Sequence, residues 1–202
     1  MRKIKNIGAV LALLVLVAVQ ACTGQKDPYI EFIKQERRED TKSFLNAETT
    51  PLKDKDRATF LGLDYFTADE SYKVKAKVTK LPREISFSMK TTTDRLPEYM
   101  KAAKLEFQLK GKDYSLIAYR SKDHPEEGWF IPFTDLTNGV ETYEVGRYID
   151  IDLQETIKTE IDLDFNLCYN PYCAYAAKWS CPIPPPENNL KIRIEAGVKK
   201  FH

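Results

Sequence analysis

From Lys73 onward the chain alternates apolar and polar residues with a period of two, and this constrains its fold more than any other feature. Val74, Ala76 and Val78 interleave with Lys73, Lys75 and Lys77, and Ile85, Phe87 and Met89 with Ser86 and Ser88. Ile149, Ile151 and Leu153 interleave with Asp150 and Asp152, and Ile161, Leu163 and Phe165 with Asp162 and Asp164. Leu105, Phe107 and Leu109 run into Lys110-Gly111-Lys112-Asp113, a hairpin connection to Tyr114–Tyr119, while Leu190, Ile192 and Ile194 predict a last strand. Side chains of a strand point alternately to its two faces, so each segment has one face to bury and one for water. Helical patterns do not alternate with these segments. The prediction is a mainly β domain, an antiparallel barrel or sandwich, over residues 28–202. Asp94–Lys104 lacks the period and is read as a short helix or turn.

One helix precedes the strands. Asp27-Pro28 places an N-cap residue before proline at the first helical position, and Tyr29 to about Phe44 is helix-compatible. Its apolar positions, Tyr29, Ile30, Phe32, Ile33, Phe44 and Leu45, lie at the two ends. The middle, Lys34–Lys42, is almost wholly polar, so only the ends are expected to dock.

The amino terminus sets the expected address. Arg2, Lys3 and Lys5 precede an apolar run from Ile7 to Val19, about the length of a signal-peptide core and short of the roughly twenty residues that span a bilayer. Val19-Gln20-Ala21-Cys22 then resembles the lipobox of bacterial lipoproteins, in which residues 1–21 are removed and Cys22 becomes an acylated amino terminus. Each buried methylene contributes about 0.8 kcal/mol, so two or three acyl chains hold the protein on the bilayer. Thr23 follows the cysteine instead of Asp, which by resemblance favours the outer membrane of the cell envelope. Residues 22–27 form a tether of at most about 20 Å. Processing leaves 28 of the 31 basic side chains against all 30 acidic ones, with no basic excess to suit nucleic acid. Expected partners are the bilayer, through Cys22, and a small molecule or envelope protein.

Residues 164–188 are the densest part of the chain. They hold Cys168, Cys173 and Cys181, the aromatic set Tyr169, Tyr172, Tyr175 and Trp179, and Pro171, Pro182, Pro184, Pro185 and Pro186. Such a segment is built to keep one shape. In an oxidising compartment its cysteines are candidates for a disulfide. A Cys173–Cys181 bridge closes a loop of about nine residues and contributes roughly 2.5 kcal/mol by chain entropy. Three thiols allow three pairings, and a reactive or metal-binding role is the alternative. The cysteine spacings are not those of a zinc site, and no metal is assigned. Asn170-Pro171 and Cys181-Pro182 are candidate cis bonds.

Two blocks carry a family resemblance. Phe130-Ile131-Pro132-Phe133-Thr134-Asp135-Leu136-Thr137-Asn138-Gly139, with Glu141-Thr142-Tyr143 and Gly146-Arg147-Tyr148, is one; Asp164–Phe201 is the other. With Phe60–Phe66 they resemble a bacterial and archaeal family known only as domain of unknown function 1684. Cys168 stands where that family usually has a small residue, and Val198 where an acid commonly follows the Ala-Gly pair. The resemblance implies a shared fold and no particular activity, so function must be argued from the residues.

The candidate ligand or catalytic residues are Asp135, Thr137, Asn138, Tyr143 and Arg147 of the first block and Asp164, Asn166, Tyr169, Asn170, Tyr175, Glu187 and Asn188 of the second. Arg147 is expected to pair with Asp164, a bidentate contact fixing a strand end. If the last two aspartate-rich segments form a hairpin, Asp150, Asp152, Asp162 and Asp164 share one solvated face. The aromatic residues either form a ligand wall or cover an open barrel end. Asn-Gly at 138–139 reads first as a turn. No Gly-x-Ser-x-Gly elbow, paired-histidine zinc motif or glycine-rich phosphate loop is present, and His124 sits in a polar turn. The leading expectation is a non-catalytic binding module with its site at the terminal block. The alternatives are an envelope enzyme, hydrolytic or a flavin-type split barrel, and a purely structural lipoprotein. The sequence names no cofactor.

Overall fold

The computed structural model describes residues 26–82 and 86–202; the signal segment, Cys22 and Ile85 lie outside them. Two helices, α1 (Pro28–Leu45) and α2 (Asp54–Arg57), precede seven strands: β1 (Lys73–Lys80), β2 (Ser86–Ser88), β3 (Glu98–Leu109), β4 (Lys112–Ser121), β5 (Trp129–Phe133), β6 (Arg147–Ile151) and β7 (Glu160–Asp164). All pairings are antiparallel and follow the order β6-β5-β4-β3-β1-β7, with β2 on the start of β3. The sheet curls into a half-barrel beside the N-terminal helix, as the alternation predicts. Lys110 and Gly111 both take positive φ, 49° and 73°, the geometry that matches a two-residue hairpin loop to strand twist.

The apolar half of each alternating segment fills the core. Ala76, Val78, Leu105, Phe107, Leu109, Ile149, Ile151, Ile161 and Leu163 are buried together with Leu190, Ile194 and Ala196 of the carboxy-terminal segment. The residues around Asp94 are not a helix; β3 begins at Glu98. All peptide bonds of the described residues are trans, including those before Pro171 and Pro182.

The helix is anchored along more of its length than its polarity suggests. Asp27 accepts from the Tyr29 and Ile30 amides, and Pro28 opens the helix. Ile33 is completely buried, which contributes about 1.5–3 kcal/mol. In the polar middle, the Arg37 guanidinium lies 4.5 Å from the Tyr65 ring centroid and Tyr65 donates to Asp40 at 2.8 Å. A charged helix face thus docks through an aromatic ring. Phe44 packs on Phe60 and Tyr175 in a second small core that ties the end of α1 to the terminal block.

Two expectations about strands are corrected. β6 and β7 stand at opposite ends of the sheet, so their aspartates share no hairpin. Asp162 faces Lys75 and Lys73 of β1 at 2.7 and 3.8 Å, an arrangement that avoids carboxylate repulsion. Leu190–Ile194 is not a strand; it bends at Lys191 and Ile192, and its backbone is bonded by side chains and loop groups. Close packing fixes the segment further. Gly197 has φ of 74°, and a Cβ there would stand 2.3 Å from Cys168 Sγ.

Candidate functional site

Most of the candidate residues form three buried polar networks. In the first, the Asp135 side chain turns the Asp-Leu-Thr-Asn loop on itself. Its Oδ1 accepts from the Thr137 amide (2.8 Å), the Thr137 hydroxyl (2.6 Å) and the Ile194 amide (3.2 Å). Asn138 closes the turn by accepting from the Asp135 amide and donating to Thr142 Oγ1 and the Tyr143 carbonyl. Arg147, fully buried, completes it: Nη2 donates to Asp135 Oδ2 and the Ile194 carbonyl, both at 2.8 Å, and Nη1 to the Ala196 and Val198 carbonyls at 2.5 and 3.2 Å. One guanidinium thereby holds three carbonyls of the carboxy-terminal segment. The expected Arg147–Asp164 pair does not form, because β6 lies across the sheet from β7 and the first block supplies the nearer carboxylate.

The second network joins α1 to the start of the terminal block. Tyr29 donates its hydroxyl to Asp164 at 2.9 and 3.0 Å. Asp164 also accepts from the Asn166 amide, and the Asn166 side chain clasps both the N–H and the carbonyl of Asp69. The third fills a gap in the sheet. β4 and β5 pair only at Tyr119 and Phe130. Below that point Asn188 reaches between the strands, accepting from the Ile117 amide (2.7 Å) and donating to the Ile117 and Pro132 carbonyls (2.8 Å each). An amide side chain replaces the missing ladder. Glu187 beside it accepts from Tyr119 and meets Lys101 at 2.7 Å; despite the cost of burial, these contacts hold its carboxyl below the ordinary range. The two recognisable blocks meet. They meet as packed interior, which leaves Asp135, Thr137, Asn138, Arg147, Asp164, Asn166 and Asn188 occupied with the protein itself.

Cys168, Cys173 and Cys181 are free thiols in this structure, and the expected Cys173–Cys181 bridge is not formed. The pair are nonetheless neighbours, with the Cys173 amide donating to Cys181 Sγ at 3.2 Å and the Tyr143 hydroxyl lying 3.5 Å from Cys173 Sγ. Hydrogen bonding from the Cys181 thiol, aided by Tyr143 and Thr92, pulls Cys173 down to about 6, while burial pushes Cys168 up to about 11. Among the described residues no three His, Cys, Asp or Glu side chains gather as a metal-ligand set.

The remaining candidates, Tyr169, Asn170 and Tyr175, line a groove of about 750 Å³. It lies between β5–β6, the terminal block and the second half of α1, with Asp40, Phe44 and Tyr65 from the helical side. Tyr172 and Trp179 also line it, so the whole aromatic set of the block borders one cavity. Its sheet side is a row of rings at outward-facing positions: Tyr99 to Phe130 at 5.7 Å, Phe130 to Tyr148 at 4.7 Å, Tyr148 to Tyr169 at 5.7 Å between centroids. Tyr148 and Tyr169 also exchange backbone hydrogen bonds at 2.9 and 3.0 Å, which covers the free edge of β6.

Asp150 stands directly across from Phe130 in the sheet and accepts from the Tyr169 hydroxyl at 2.5 Å. Asp150 is exposed to solvent along the groove, with protein packed around its remaining sides. That packing, with Glu127 and Asp152 nearby, raises its pKa against the lowering effect of Tyr169. Gly128 brings Glu127 there. Its φ of 88° lets the His124–Gly128 turn lie against Ile151–Leu153, where any Cβ would meet the Ile151 carbonyl at 2.1 Å. Asp150, Phe130, Tyr148, Tyr99 and Tyr65 are groove residues absent from the sequence-derived set. The available signal was Phe130 and Tyr148, aromatics at the outward positions of strands whose inward positions are already apolar.

The family model described as "Protein of unknown function (DUF1684)" matches residues 58–199, and the chain belongs to that family. Among solved structures, an uncharacterized protein from gene locus rrnAC0354 of Haloarcula marismortui, determined by solution NMR, is 35% identical and superposes with a TM-score of 0.68. The match covers 85% of this chain and 94% of the archaeal one. The comparison with curated proteins returned no match.

Proposed function

We propose that this member of the family is a non-catalytic binding module of the bacterial cell envelope, held on the membrane through Cys22, with the aromatic groove as its ligand seat. The row of rings from Tyr99 to Tyr169 carries the reading. Outward positions of a sheet normally carry polar side chains, and a line of aromatics, buried at Tyr148 and half-buried at Tyr99, Phe130 and Tyr169, beside a cavity of ligand size fits a flat or apolar molecule. The enzyme alternatives draw less support. Arg147 and Asp164, two of the candidate catalytic groups, are spent on Asp135 and backbone carbonyls and on Tyr29. A flavin nucleotide's phosphate would find no lysine or arginine in the groove lining. The described helices include none long and apolar enough to cross a membrane, so attachment rests on the lipobox-like segment.

Trp179 reports on the groove. Small molecules that co-purify with the protein from native membranes, identified by mass spectrometry, should be lost in Trp179→Ala and retained in Tyr29→Phe, which lies in the second network. Equal retention by both variants would refute the groove as the seat. Mass spectrometry of the mature amino terminus should find acyl chains on Cys22, and an unmodified or uncleaved terminus would remove the anchor. The same spectra, with and without reductant, decide whether Cys173 and Cys181 are bridged in the envelope.

A further inference from the structure

The lining of the groove is one-sided in charge. Asp40, Glu127, Asp150 and Asp152 line it, and among the described residues no lysine or arginine does. The chain as a whole carries 31 basic against 30 acidic residues, so this asymmetry is local placement and not composition. Arg37 and Lys178 stack on Tyr65 and Trp179, 4.5 and 4.9 Å from the ring centroids, without joining the lining. Those two rings already accept a cation against a face.

Hydrogen bonding is one-sided in the same sense. The Tyr65, Tyr148 and Tyr169 hydroxyls donate to Asp40, the Pro182 carbonyl and Asp150. Asn170, only 2% exposed, borders the groove and donates to the Lys199 carbonyl, while its Oδ1 meets no donor. Among the described residues no ion pair reaches Asp150, Asp152 or Glu127; the partner of Asp150 is a neutral phenol. Apart from the exposed imidazole of His124, whose Nδ1 lies 3.6 Å from Glu126, the lining offers carboxylates and acceptors without a resident cation, set beside π faces that attract cations.

We propose that the groove binds an organic cation, an ammonium group carried on an aromatic or aliphatic body, with Asp150 as its charge partner and Phe130, Tyr148 and Tyr169 as its bed of rings. The proposal rests on the groove being the ligand seat and adds the class of ligand. An ammonium over these rings satisfies the carboxylates and supplies N–H groups, while the body displaces water from the aromatic row.

Three probes of one shape test it: 2-phenylethylamine, 2-phenylethanol and phenylacetate, titrated against the detergent-solubilised full-length protein by isothermal titration calorimetry. The amine should bind about tenfold or more tighter than the alcohol, with phenylacetate weakest. Asp150→Asn should bring the amine to the affinity of the alcohol, and raising salt should weaken the amine alone. An alcohol that binds as tightly as the amine, or an amine preference unchanged in Asp150→Asn, overturns the proposal. If the alcohol binds and Trp179→Ala abolishes it without any amine preference, the seat stands and the cation falls. If no probe binds at any concentration, both fall.

Discussion

The Arg147 network and the groove are built from the same terminal block and differ in completeness. Around Arg147, each carboxylate oxygen of Asp135 has a donor and both terminal nitrogens of the guanidinium have acceptors, which leaves Nε alone without one. In the groove, Glu127, Asp150 and Asp152 are exposed and none is in an ion pair among the described residues, while the buried Oδ1 of Asn170 meets no donor. Buried groups are costly unless satisfied, which accounts for the bonding around Arg147, whereas the groove carboxylates keep contact with solvent and stay open to a partner. The contrast separates the residues that hold the block in place from those left free to meet something else.

Breaking the satisfied side should have the largest effect. Arg147→Met strands Asp135 in the interior and releases three carbonyls, a loss of about 3–5 kcal/mol in urea denaturation. Arg147→Lys should recover little of it, since a lysine cannot fork to four acceptors. The double variant Arg147→Met with Asp135→Leu should be more stable than Arg147→Met alone, because it removes the stranded charge. If it is not, the network's value lies in the carbonyls and not in the ion pair. Asn188→Leu comes next, at about 2–3 kcal/mol, since Ile117 and Pro132 lose their only substitute for a ladder. Amide exchange at Ile117 should accelerate in step.

The interior was only partly legible in advance. Period-two alternation identified β1, β6 and β7 and the β3–β4 hairpin because a curled sheet buries one face of each strand. It misplaced Leu190–Ile194, whose spacing is that of a strand but whose backbone is tied by Arg147, Asp135 and neighbouring loops. Local sequence cannot distinguish a ladder from side-chain mimicry of one. Arg147 was assigned to Asp164 for the same kind of reason. Which buried carboxylate an arginine meets depends on sheet order, and placing β6 and β7 at opposite ends is a long-range fact. On the groove side, the sequence shows Tyr169, Tyr172, Tyr175 and Trp179 as a candidate wall and Asp150 as a solvated aspartate, which it is, though not the hairpin neighbour of Asp162 and Asp164. Its position opposite Phe130 and under Tyr169 needs the register of β5 on β6 and the docking of the block, neither written locally.

Between the two extremes lies the network that fastens the helix. Tyr29→Phe removes the hydroxyl shared by Asp164 and Asn166, and about 1 kcal/mol should be lost. Because Asp27, Pro28 and Ile33 still hold the helix start, the effect should show as faster amide exchange in the first turns of α1 with the sheet unchanged. If exchange in β7 rises equally, helix and sheet form one cooperative unit, and only the groove stands apart from it.

The smallest expected effect has the opposite sign. Asp150 has a raised pKa in the folded protein, so the folded state binds its proton more tightly than the unfolded chain does. Stability from this group is therefore fully present below the ordinary carboxyl range and is lost as pH rises through the folded value. At neutral pH the ionised carboxylate is a liability, and Asp150→Asn, which can still accept from Tyr169, should raise the melting temperature slightly. The advantage should close as pH falls into the acid range, where the native carboxyl protonates and both proteins are neutral at this position. A variant that is more stable at neutral pH yet no longer prefers the amine probe would place the cost of Asp150 in its ligand. A variant less stable at every pH would mean that Asp150 belongs with Asp135, as one more satisfied carboxylate.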